Sequence, residues 1–87
     1  MKPGEEIVVI GLADLSNGKE SVESLLVSIG AARLRRAGIE VPETTFPSPE
    51  HRLYELLFDR DPDTAYSRYN SYIRRLVSYE RAAECGI

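Results

Sequence analysis

Residues 61–84 read DPDTAYSRYNSYIRRLVSYERAAE, and this stretch decides the fold because its apolar spacing and its boundary signals agree. Asp61 suits an N-cap and Pro62 a first helical position, while Gly86 falls just past the expected end. The span amounts to about six helical turns. At ~100° per residue, Tyr79, Tyr72, Ala65, Ala83, Leu76, Tyr69, Ile73, Tyr66 and Val77 share an arc of about 160°. Arg68, Arg75, Ser71, Ser67, Arg74 and Arg81 occupy the other side. A helix with such a face covers a core, and the remainder of an 87-residue chain must supply that core.

That length supports a single domain spanning residues 1–87, with a modest excess of burial over chain entropy. Hydrophobic residues make up 43% and charged residues 29%, the balance of a chain that folds rather than one that stays disordered. A net charge of −3, from 14 acids and 11 bases without long like-sign runs, gives no global attraction for nucleic acid or an anionic membrane. Cys85 is the only cysteine, so no intrachain disulfide forms and a reducing, cytoplasmic setting is expected. Met1-Lys2-Pro3-Gly4-Glu5-Glu6 lacks the pattern of a signal peptide, and no apolar run approaches the roughly 18 residues of a membrane span.

Upstream of the long stretch, three further helices are expected. Over Lys19–Ala37, Val22, Leu25, Leu26 and Ile29 share a side that Val27 and Leu34 widen, so this helix sits centrally. Ser24, Ser28 and Arg35 mark its wet side; Asn17 with Glu20, or Ser21, starts it, and Arg33, Arg35, Arg36 and Gly38 close it. Ser48-Pro49-Glu50 opens another through about Asp59, its apolar face made of Leu53, Tyr54, Leu56, Leu57 and Phe58. Glu5–Leu15 is ambiguous. Ile7-Val8-Val9-Ile10 is a β-branched run that favours a strand, yet Glu5, Glu6, the Val8/Leu12/Leu15 face and Gly18 favour a helix. A lone strand needs a partner, and only Ile39-Glu40-Val41 offers one, so the helix is preferred.

The fold expected is therefore all-α, with four helices near 4–16, 19–37, 49–59 and 62–84. The alternative is α+β, a short strand at 5–10 followed by three helices.

The chemistry-bearing patterns are few. Gly11 to Ser21, with Gly18-Lys19, resembles a phosphate-binding P-loop. Six residues rather than four separate its glycines, and Glu20 stands where a hydroxyl should reach a metal ion, so an Asn-Gly turn is the better reading. Tyrosines alternate with arginines along Tyr66–Arg81, as on a base-stacking surface, but they point to different sides of the helix. Arg33, Arg35 and Arg36 form the best local basic patch for an anion or nucleic acid, although cations at a helix end also complement its dipole. His51 has no companion at metal-ligand spacing, and no nucleophile-and-base set is recognisable, so no metal, no cofactor and no enzyme activity are expected. Glu80 is the informative anomaly: a carboxylate inside the apolar arc must reach solvent, pair with a cation such as Arg33 or His51, or sit in a contact with another chain.

The functional expectation is a cytoplasmic protein–protein interaction domain, a homo-oligomer or accessory subunit, acting through its tyrosine-rich C-terminal helix. Its contact residues would be Tyr72, Leu76, Tyr79 and Glu80, and its partner a second copy, as a homodimer, or another protein. Nucleic acid and membrane are not expected partners. The alternatives are a nucleic-acid-binding regulator using Arg33, Arg35 and Arg36, and an enzyme with a carboxylate–tyrosine site around Glu80.

Overall fold

The computed structural model describes residues 2–85 of the chain. Within them run four helices: α1 Glu5–Ser16, α2 Val22–Arg36, α3 Pro49–Arg60 and α4 Ala65–Glu84. No strand occurs among the described residues, so the α+β alternative is set aside. Ile7-Val8-Val9-Ile10 lies in α1, where 100° steps allow only part of a continuous apolar run to face one way. Ile7 and Val8 are buried, and Val9 and Ile10 are exposed.

α2 is central and packs against each of the other three helices; α3 also packs on α4, and α1 touches α4 lightly. Leu25, Leu26, Val27 and Leu34 of α2 are fully buried and meet Val8, Leu53, Leu57 and Leu76 in one core. Each such side chain contributes about 1.5–3 kcal/mol through removal of its apolar surface from water. A glycine brings the first two helices close. A Cβ on Gly11 would collide with the Glu23 carbonyl and Val27, so α1 lies almost backbone to backbone on α2. Gly11 is therefore a packing residue inside a helix, not the start of a phosphate loop.

The helix ends follow local chemistry. Ser21 caps α2 in a reciprocal box with Ser24: the Ser24 amide donates to Ser21 Oγ at 3.1 Å and the Ser21 amide to Ser24 Oγ at 2.8 Å. Ser21 Oγ also donates to Asp14 Oδ2 at 2.7 Å, tying the cap to the end of α1. Gly38, at φ 90°, ends α2 as the Ile39 amide turns back to the Leu34 carbonyl at 3.0 Å.

Two local expectations are corrected. α4 begins at Ala65 rather than Pro62, because Asp61 Oδ1 accepts from the Asp63 amide and the Asp61 carbonyl from the Thr64 amide, closing a turn before the helix. Ser24 and Ser28 are buried rather than wet: Phe46, in the connection between α2 and α3, reaches over Ser28, and Ser24 is drawn into the cap of its own helix. Ser28 Oγ donates to the Ser24 carbonyl at 2.9 Å and accepts the Phe46 amide at 3.2 Å, so the crossing leaves these hydroxyls satisfied. Gly86, expected just past the end of α4, lies outside the described residues.

Candidate interaction surface

The four residues expected to make a contact surface lie on the side of α4 that turns inward. Leu76 is 2%, Tyr79 7% and Glu80 4% exposed, and only Tyr72 remains half-buried. The expectation of an interface at Tyr72, Leu76, Tyr79 and Glu80 is corrected: three of them belong to the chain's own interior. Tyr79 packs beside Gly4 at the start of α1, and burial, reinforced by Glu5, raises its hydroxyl pKa. The Arg75 guanidinium carbon stands over the Tyr72 ring, 5.9 Å from its centroid.

Glu80 resolves its conflict by pairing within the chain. Its Oε1 lies 3.5 Å from Nη1 of Arg33 on α2, and Arg33 Nε also donates to Glu84 Oε1. The Glu80 pKa is raised by burial, an effect that Arg33 and Arg36 oppose and Glu84 reinforces. The expected basic patch is accordingly divided. Arg33 is engaged by two glutamates, Arg35 Nη2 donates to the Pro42 carbonyl at 2.6 Å, and Arg36 is exposed. His51 Nε2 sits 3.4 Å from Glu55 on the surface, and Cys85 is exposed. Among the described residues no group of His, Cys, Asp and Glu is arranged to hold a metal ion. No described helix is long and apolar enough to cross a membrane.

The apolar surface that stays in solvent lies elsewhere. Phe58 and Tyr54 of α3 and Tyr69 of α4 form a run of rings: centroids 6.2 Å apart from Phe58 to Tyr54, then 6.1 Å and edge-on from Tyr54 to Tyr69. Phe58 is 47% exposed, and Tyr66, one turn before Tyr69 on α4, is 71% exposed. Tyr69 is half-buried, its pKa raised by burial and by Glu50. Glu55 and Asp59 border the Tyr54–Phe58 pair. A second apolar patch pairs Val9 and Ile10 with Glu5 and Glu6 on α1.

The sequence reading placed Tyr54 and Phe58 on the apolar face of α3 without separating them from Leu53 and Leu57. The available signal is width: around the helix, Phe58 stands about 100° from Leu57 and about 140° from Leu53. Comparison of the chain with protein-family models, with curated proteins and with solved structures finds no match.

Proposed function

We propose that this chain is a protein–protein interaction domain that self-associates through the aromatic surface of α3 and α4, with Phe58, Tyr54, Tyr69 and Tyr66 as its contacts. One observation carries the reading: four large aromatic side chains on adjoining helices, three of them exposed to solvent, form an anchor set of the kind enriched at interfaces. In this reading the tyrosine-rich C-terminal helix acts through Tyr66 and Tyr69 rather than through Leu76, Tyr79 and Glu80. The enzyme alternative around Glu80 has less support, since that carboxylate is enclosed between Arg33 and Gly30. The anion-binding alternative at Arg33, Arg35 and Arg36 is weakened by the two glutamates on Arg33.

Sedimentation velocity from about 1 to 100 μM tests the proposal, a range that brackets micromolar self-association. The expected result is a concentration-dependent dimer that Phe58→Asp reduces at least tenfold in affinity while the helical circular dichroism spectrum is kept. A chain that stays monomeric across that range overturns self-association, and a dimer indifferent to both Phe58→Asp and Tyr66→Ser removes this surface from the reading.

A further inference from the structure

The outer face of α4 has a composition unlike the rest of the chain. Residues 1–64 carry twelve acids against seven bases, whereas α4 carries four arginines against two glutamates. Both glutamates of α4 turn toward Arg33 on α2. What remains outside is single-signed: Arg68, Arg74, Arg75 and Arg81 are exposed and make no ion pair among the described residues, with Ser67, Ser71 and Ser78 exposed among them. A solvated helix face ordinarily mixes signs and gains from i,i+4 pairs, and clustering like charges costs free energy through repulsion.

Helical spacing gives this face a definite form. Arg68 and Arg75 are seven residues apart and fall in one row; Arg74 and Arg81 fall in a second row about 120° around the helix, with the serines between. Each row spans about 10 Å and the face about 20 Å along the axis. Glu5 of α1 acts on Tyr79, on the inner side of α4.

We infer that this double row of arginines is a docking surface for the sugar-phosphate backbone of duplex DNA, with α4 laid along the major groove. Charge selects an anionic occupant, and the residues between the arginines select among anions. An acidic protein helix would need an apolar seam to bury, and a helix that lies within a lipid surface needs apolar side chains beside its cations. Serines supply neither, but a serine hydroxyl and a guanidinium are both phosphate-contacting groups. A helix with its side chains is about 10–12 Å wide, which the ~12 Å major groove of B-DNA admits, so one row reaches each backbone. The deep, narrow major groove of A-form RNA does not admit it. This surface is separate from the aromatic one and does not depend on self-association.

Fluorescence anisotropy of a labelled 20-base-pair DNA duplex, titrated with the full chain, tests the inference. With up to four phosphates neutralised, log affinity should fall with log salt at a slope of about −3 to −4, a loss of about 100-fold between 50 and 200 mM. Arg74→Gln/Arg81→Gln should reduce that slope by about two and lower affinity at 50 mM salt at least tenfold, whereas Arg35→Gln/Arg36→Gln should change affinity by less than about twofold. Unchanged circular dichroism melts establish that both variants fold. No binding at 50 mM salt, equal losses in the two variants, or binding to an RNA duplex or phosphatidylserine vesicles as tight as to the DNA would each overturn the assignment.

Discussion

Glu80 of α4 sets its carboxylate against the bare Cα of Gly30 on α2, where an added methyl group would lie 2.5 Å from Oε2 and 3.3 Å from both Leu76 methyl carbons. The absence of a side chain at position 30 is what gives the carboxylate room beside Arg33.

Gly30→Ala should therefore destabilise the chain by about 1–2 kcal/mol, because overpacking outweighs the ~1 kcal/mol that alanine gains over glycine in a helix. In a Glu80→Ala background the sign should reverse, with Gly30→Ala becoming neutral or stabilising. Urea unfolding of the four chains measures the coupling; strictly additive effects would refute the steric account.

The pH dependence of stability has two opposed contributions. Burial raises the Glu80 pKa in the folded state above its ordinary 4.5, so the native chain binds that proton more readily and gains stability as pH falls through the raised value. Glu20, held below 4.5 by its hydrogen bond from Arg52, contributes stability that is lost as pH falls through its lowered value. The expected stability maximum lies in the mildly acidic range, and Glu80→Gln should flatten the decline toward neutral pH. Thermal melts between pH 4 and 8 decide this, and a decline unchanged in Glu80→Gln counts against it.

Ser48 caps α3 at φ 45°, the one non-glycine residue with positive φ among the described residues, and its side chain makes no capping bond. Left-handed backbone costs a side-chain-bearing residue about 1–2 kcal/mol. Ser48→Gly should stabilise the chain by up to about 1 kcal/mol after the extra entropy of the unfolded glycine is counted. Chemical denaturation checks the sign.

Tyr79→Asp and Phe58→Asp should part company. Tyr79 is almost wholly enclosed, so a carboxylate there should unfold the chain, while Phe58 is half open and tolerates the charge with its helices intact. Circular dichroism of the two variants at 25 °C reads the difference. A folded Tyr79→Asp chain would return the inner side of α4 to consideration as a contact surface.

Much of the fold was legible in particular residues. Ser21, Gly38 and Pro49 mark helix ends by backbone chemistry alone, and the four apolar periodicities put each helix within a few residues of its observed span. Ile7–Ile10 was decided correctly by the lack of a strand partner, not by propensity, which pointed the other way. The start of α4 was misplaced because Asp61 is as good a turn former as a helix cap, and the choice depends on where the chain goes next. Ser28 looks like a wet position until Phe46, from the connection between α2 and α3, crosses it, which is a tertiary event with no local mark. At Glu80 the anomaly and the partner Arg33 were both readable. The depth was not, because it depends on a glycine fifty residues away.

The order of packing along the chain has a kinetic consequence. α1 lies on α2, α2 on α3 and α3 on α4, so most of the interior is reached by closing short loops, whose entropic cost is small. The return of α4 to α2 joins segments about fifty residues apart, and its light contact with α1 joins segments farther apart still, so these are the costliest closures. If the local pairs form first, the Gly30–Glu80 seam is assembled after the barrier is crossed. Loosening it then leaves the rate of folding almost unchanged and shortens the lifetime of the folded chain.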